Sequence, residues 1–312
     1  MMKKPSLATF STNPKHSSKY GVRSISLPTR SHPTTVQIEE ELTKLKSWET
    51  SSSSKSETIC FGLSGLTRLY KCIEELLKLP LTQQALSQHK NEKWVDELLD
   101  SPLRFLDLLS KTRDETLLLK GKVEELQSVL RRRKVGDSDM ENHVAEYWSL
   151  RRKMRKECTK SLLLLKQIDG SIGSSYFSLD LNNHLCAIVK VLIEASLMTS
   201  SILQSLVVFL SSPILRSKVN KWSLVSRLMQ KGVFGCDNQH ENNINELEKV
   251  DFGVSSLMME NLSKDAEVEK IQSAHGRLQA LVVAIEGIEN GLECLFKRLI
   301  NTRVSFLNII SP

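Results

Sequence analysis

The sequence predicts an all-α protein: an elongated helical bundle with a long C-terminal coiled-coil-like helix and a disordered N-terminal tail. Apolar residues recur at spacings of three and four along most of the chain after residue 57, as they do on amphipathic helices. Aromatic residues make up only 5%, and the 13 glycines and 8 prolines are too few for the many turns of a sandwich or barrel.

Residues 1–35 form the predicted tail, which is rich in Ser, Thr, Lys and Pro. Because it has few large apolar side chains, burial cannot offset the entropy lost on ordering, and we expect disorder. Six of the seven excess positive charges precede the first acid, Glu39. The rest of the chain is nearly neutral, which disfavours a global nucleic-acid binder with a basic folded body.

Residues 36–56 are predicted to form a short helix (36–48) and a Ser-rich joint, and residues 57–312 a helical bundle domain. The first bundle helix ends at Pro80. Ser101 and Pro102 resemble an N-cap followed by a first-turn proline, which predicts a helix over 102–134.

The second half of the chain divides at residues that favour turns. We expect a break at 136–138, a helix to about residue 168 and a loop over 170–175. The most apolar helix should span 181–212, before Pro213. The remaining predicted segments are a short amphipathic stretch (218–231), a surface loop (232–243) and two helices (244–262 and 264–309).

The last helix carries the strongest periodic signal. Twelve positions alternate steps of three and four, and eleven are apolar or alanine: Ile271, Ala274, Leu278, Leu281, Ile285, Ile288, Leu292, Leu295, Leu299, Thr302, Phe306 and Ile309. Such a seam must bury one continuous face. Gly287 and Gly291 beside it should allow a close helix approach. We favour burial within one chain, with self-association through 271–309 as the alternative.

Six blocks of the sequence resemble the plant BYPASS-related family. They are RSISLPTRSHP (23–33), GLTRLYKCIEELLKLPLTQQAL (65–86), WVDELLDSPLRFLDLLSKTRDE (94–115), KVEELQSVLRRR (122–133), YWSLRRKMRKE (147–157) and GLECLFKRLINTRVSFLNIIS (291–311). This plant-specific family is largely catalogued as a domain of unknown function. The resemblance implies a role in root and shoot development, and it supplies no catalytic residues to transfer.

The tail contains a phosphorylation motif of the form R-S-x-S-x-P, made by Arg23, Ser24, Ser26 and Pro28. A phosphate on Ser26 would add about two negative charges and three acceptor oxygens, which the arginine cluster of a 14-3-3 protein binds. The same acid-free, Ser-rich composition also suits an organellar transit peptide. Both interpretations stay open.

Two basic clusters occur near the middle of the chain. They comprise Arg131, Arg132, Arg133 and Lys134, and Arg151, Arg152, Lys153, Arg155 and Lys156. As functional sites they would form a nuclear localisation signal or a patch for anionic lipid or nucleic acid. We favour solvated helix faces, because no aromatic residues interleave them for base stacking.

An uncharged run of 21 residues lies between Glu194 and Arg216 and approaches the ~20 residues that span a bilayer. Its Ser, Thr and Gln side chains make it amphipathic, so we favour a buried core helix. The alternative function is a peripheral or integral membrane-associated protein that uses helix 181–212.

Residues with catalytic or ligand-binding chemistry show no recognised pattern. The six cysteines lack a CxxC pair, the seven histidines lack HExxH spacing, and no glycine-rich phosphate loop occurs. We therefore expect a non-enzymatic interaction or scaffold protein without cofactor or metal, whose protein partners bind helical surfaces. Reduced thiols and a polar start favour the cytoplasm; the nucleus, chloroplast and membrane periphery stay open.

Overall fold

The structure is a computed structural model that describes residues 33–51, 55–132, 139–174, 183–212, 244–258 and 264–311. These residues form eight α-helices and no strand, which confirms the predicted all-α class. The helices are α1 (Pro33–Ser51), α2 (Ser56–Leu77), α3 (Pro80–Ser87), α4 (Lys93–Arg132), α5 (Asp139–Ser174), α6 (Asn183–Leu210), α7 (Glu246–Leu257) and α8 (Lys264–Ile310).

Several predicted segments lie outside the described residues. They are residues 1–32 of the tail with its Arg23–Pro28 motif, most of the Ser-rich joint, the break at 136–138, and the segments 218–231 and 232–243. The last three residues assigned to the tail are described, and they belong to α1, which begins at Pro33. Proline suits a first helical position because the amide hydrogen it lacks has no partner there.

Helix α8 is the longest element, with 47 residues and a length of about 70 Å. Its predicted seam is buried from Ala274 to Phe306, and Ile271 and Ile309 at the two ends are half-buried. Helices α2, α4 and α7 of the same chain cover this face. The seam residues are thus used within the chain, which agrees with the intramolecular interpretation.

Helix α2 runs parallel to α8 and packs against it at the two glycines. A Cβ atom on Gly287 would lie 3.1 Å from Cys60 Sγ, and one on Gly291 would lie 2.8 Å from Leu63 Cδ1 and 3.0 Å from Leu63 Cβ. Real Cβ atoms rarely approach so closely. The close helix approach predicted from these glycines is therefore present.

Helix α1 belongs to the same core as the rest of the bundle. Its residues Ile38, Leu42 and Leu45 are buried, and Trp48 Nε1 donates a hydrogen bond to the carbonyl oxygen of Thr58, 2.7 Å away. One compact unit accordingly extends over Pro33–Pro312. The structure groups the short helix of segment 36–56 with the bundle.

Helix α4 runs straight through Ser101 and Pro102, so the predicted helix start at this pair is wrong. The proline has no amide hydrogen for the carbonyl oxygen of Leu98, which weakens the helix locally. Leu98 before the proline and Phe105 after it are nevertheless both buried. Packing on both sides of the proline outweighs the local preference for a break.

Two further boundaries differ from the prediction. Helix α5 continues to Ser174, so the loop predicted from Gly170 is wrong over the described residues; buried Ile168 and Ile172 extend the packed face through it. Helix α3 was not predicted. Pro80, which marks the end of α2 in the sequence, occupies the start of α3.

Helix α6 is the one described helix that is long and apolar enough to cross a membrane by composition. In the structure, 56% of its most apolar 18-residue stretch is buried within the protein. It contacts α1, α2, α4 and α5. This environment is that of a core helix, as favoured from the sequence.

Replacing Gly291 by alanine should destabilise the fold by about 1–3 kcal/mol, because the new methyl group overpacks against the Cβ of Leu63. Gly121→Ala is the matched control. It lies within α4 and has no atom within 4 Å of a built Cβ, so helix propensity should make it neutral or stabilising by up to about 1 kcal/mol. Urea unfolding followed by circular dichroism measures both. Equal midpoints for the two variants would contradict the close α2–α8 packing.

Candidate functional site

Arg151 is fully buried, although the sequence places it in a basic cluster. The prediction that it belongs to an exposed basic patch is therefore wrong. Steps of three and four join it to Tyr147, Met154 and Cys158, which are all buried on the same face of α5. The helical period, rather than the neighbouring charges, determines where this side chain points.

The buried guanidinium is paired with Asp251 of α7. Arg151 Nη2 donates to Asp251 Oδ2 at 2.9 Å, and Nε donates to Oδ1 at 3.1 Å. The Tyr147 hydroxyl donates to Oδ1 at 2.5 Å. We call these three residues the Arg151 cluster. Its two-point geometry is the strongest form of the arginine–carboxylate interaction.

The Arg151 cluster also binds the end of α6. Nη1 donates to the carbonyl oxygen of Leu210 at 2.8 Å, and Nη2 donates to that of Ser212 at 3.2 Å. The last carbonyl groups of a helix lack intrahelical partners and carry partial negative charge, so a cation there is favourable. One side chain thus joins α5, α6 and α7.

Asn245 adds a second link at the same place. Its Oδ1 accepts the amide hydrogen of Glu248 at 2.8 Å, and the Glu248 carboxylate accepts the amide hydrogen of Asn245 at 3.2 Å. This capping box begins α7. Asn245 Nδ2 also donates to Ser212 Oγ at 2.6 Å, so the residues before 213 and after 243 are tied together.

Burial and the charge of Asp251 set the protonation states in the Arg151 cluster. Burial, reinforced by the negative charge of Asp251, raises the pKa of Tyr147 well above its ordinary value. Burial alone would lower the pKa of Arg151, but hydrogen bonds and the charge of Asp251 raise it. The tyrosine stays a neutral donor and the arginine a cation, which suits a structural clamp.

The other basic residues of these two clusters that the structure describes are exposed but do not form one patch. Arg152, Lys153, Arg155 and Lys156 lie on the outer surface of α5. Arg131 and Arg132 lie at the end of α4, about 20 Å away along the α4–α5 hairpin. Arg131 Nε donates to His275 Nε2 of α8 at 2.9 Å. Arg133 and Lys134 lie outside the described residues.

One trio of metal-ligand side chains comes together between α4 and α5, which the sequence did not indicate. Ligand atoms of Glu125, His143 and Glu146 lie within 4.8 Å of one another. The ammonium group of Lys122 contacts both carboxylates, at 2.8 Å for Glu146. A cation of the protein itself therefore already balances one of the two negative charges at this position.

A cavity of about 100 Å³ with both polar and apolar lining lies between α4 and α5. Glu97, Ser101, Arg104 and Ser171 line it, together with two isoleucines. The Ser101 hydroxyl is buried without a protein partner. Ligand pockets usually enclose ~300–1,000 Å³, so this space suits a few water molecules.

The five cysteines in the described residues are free thiols. Cys158 is buried, Cys60 and Cys72 are partly buried, and Cys186 and Cys294 are exposed. Burial, followed by the nearby carboxylate of Glu115, raises the pKa of Cys158 to about 12.

Arg151→Met should lower the free energy of unfolding by about 3–5 kcal/mol, because it leaves the buried carboxylate of Asp251 without its cation. The matched control Arg152→Met changes an exposed neighbour and should shift stability by less than about 0.5 kcal/mol. The double variant with Arg151→Met and Asp251→Asn should lose less free energy of unfolding than the two single variants lose together. Chemical unfolding should give a coupling energy of about 0.5–3 kcal/mol between the two positions. Strict additivity would refute the pairing.

Alkylation at about pH 8 should modify Cys186 and Cys294 in the native protein but spare Cys158, because the thiolate is the reactive form. Mass spectrometry of the peptides reports each site. Denaturant should expose Cys158 to the reagent. Modification of Cys158 in the folded chain, at the rate of the exposed thiols, would contradict its burial.

Comparison with known proteins identifies the chain by its sequence. No curated protein and no solved structure is detectably similar to it. Residues 62–309 match the family model described as Protein BPS1. This range begins in α2 and ends in α8, and it contains the Arg151 cluster and the close-packed Gly287 and Gly291. The chain therefore belongs to the Protein BPS1 family, the BYPASS-related family of plants.

Proposed function

We propose that this chain is a non-enzymatic scaffold that binds protein partners on the surfaces of its helices. Membership of the BPS1 family supports a plant developmental protein. Root and shoot development is the setting that the family resemblance implies. The proposal assigns the chain a binding role in that setting.

The observation that carries the proposal is the continuous burial of the α8 seam against α2, α4 and α7. Closely packed long helices hold their outer faces at fixed distances from one another. A frame of this kind presents several separate surfaces to partners without changing shape.

The buried charged groups of this frame join helices to one another. Asp251 is bonded to Arg151 and Tyr147, and Glu74 of α2 pairs with Arg298 of α8 at 3.0 Å. These charges hold the frame together, which supports a binding role over a catalytic one. The burial of α6 gives no support to the alternative function through helix 181–212.

Cross-linking in plants tests the scaffold proposal. A tagged full-length chain should restore development in a plant that lacks its own copy. Lysine-directed cross-linking in root and shoot tissue should then attach a reproducible set of proteins to exposed helix positions. Reversing the charge of the linked lysines should reduce the recovery of those proteins and the restored development together.

Gly121→Ala serves as the matched control, because it changes an exposed helix position that meets no other atom. This variant should still recover the cross-linked proteins and should still restore development. Surface variants that lose every partner yet restore development fully would refute the scaffold role. So would a small-molecule reaction of the purified chain whose rate follows developmental rescue across the variants.

A further inference from the structure

The outer surface of α5 carries a row of positive charges. With 3.6 residues per turn, Arg152, Arg155, Lys156, Lys160 and Lys166 fall on one arc of the helix, and all five are exposed. We call these five residues the basic crest. It extends about 20 Å along the helix. Leu163 lies near the middle of this arc with 57% of its surface exposed.

Glu146 and Glu157, the acidic residues of α5 that pair with α4, lie on a different side of the helix from the crest. Glu146 pairs with Lys122 of α4 at 2.8 Å, and Glu157 pairs with Lys111 of α4 at 2.8 Å. Both acids therefore face α4, while the basic crest faces outward. A solvated surface normally mixes the two signs of charge. Between Arg152 and Lys166 the arc of the basic crest carries no acidic residue, and the exposed Glu141 lies on the same arc about 16 Å before Arg152.

This separation works against helix stability. Arg152 lies three and four residues before Arg155 and Lys156, and Lys156 lies four before Lys160. Like charges at these spacings each destabilise a helix by about 0.2–0.5 kcal/mol. Within the described part of the chain, only Lys160 of the basic crest has an ion pair, with Glu157 at 2.7 Å. Folding makes little use of these charges, and an anionic partner would neutralise them.

The position of α5 in the bundle indicates what kind of surface fits the crest. Helix α5 packs against α4 and α6 and is bonded to α7 through Arg151, and its exposed side with the basic crest faces outward as a ridge. A ridge can lie against a flat anionic surface, where long Lys and Arg side chains reach the headgroups and an apolar side chain enters the acyl boundary. Leu163 is placed for that contact.

The neighbouring aromatic residue argues against nucleic acid. Trp148, one turn before Arg152 on α5, is half-buried and lies edge-on to Tyr147, with ring centroids 5.2 Å apart. Base stacking needs open aromatic faces. We propose that the basic crest of α5 binds the surface of a membrane containing anionic phospholipid, with Leu163 inserted among the headgroups. This inference is independent of the scaffold role and does not involve α6.

Co-sedimentation of the full-length chain with vesicles tests the proposal. Binding is expected to phosphatidylcholine vesicles that contain phosphatidylserine, and it should weaken with added salt and be much lower for phosphatidylcholine alone. Each cation near such a surface contributes roughly a fivefold change in partitioning, so Arg155→Glu with Lys156→Glu should reduce binding by about 25-fold or more. Leu163→Ser should also reduce binding, although it leaves the charge unchanged.

The matched control is Lys71→Glu with Lys78→Glu, which makes the same charge change at two exposed positions, one in α2 and one directly after it. It retains the basic tail and should bind within about twofold of the wild type, because distant charges are screened. Circular dichroism must show that every variant is folded. Equal losses in both double variants would overturn the proposal. So would unchanged binding by the crest variant, or crest-dependent binding to duplex DNA or poly-glutamate without binding to vesicles.

Discussion

The apolar face of α8 has to be covered along almost its whole length, and three helices of the same chain share that task. The parallel helix α2 covers one part, where Gly287 and Gly291 let the two backbones approach. The antiparallel helices α4 and α7 cover other parts. Because apolar surface is favourable only when it leaves water, the length of α8 dictates the arrangement of its neighbours.

Local periodicity made much of this architecture predictable. The α8 seam and the two glycines lie at fixed steps on a single helix, so the sequence alone shows which face they share. The helix start predicted at Pro102 and the loop predicted at Gly170 were wrong because the local conformational preference of one residue is weak compared with packing on both sides of it. The short helix α3 offered only one turn of apolar residues, which is too little for a periodic signal.

The Arg151 cluster was missed for a different reason. Arg151 has charged neighbours in the chain, and its partner Asp251 lies 100 residues away. A sequence does not show such a pairing. One signal was available, because Tyr147, Arg151, Met154 and Cys158 follow the same steps as a buried stripe. Giving this helical period more weight than residue charge would have separated Arg151 from the four exposed basic residues next to it in the sequence.

Hydrogen bonds at the Arg151 cluster also hold the end of α6 beside the start of α7. Leu210 and Ser212 are bound by Arg151, and Asn245 is bonded to Ser212. The two points are therefore adjacent, whatever number of residues separates them. The entropy lost on closing a chain segment grows only slowly with its length, so holding Ser212 beside Asn245 costs little more for a long connection than for a short one.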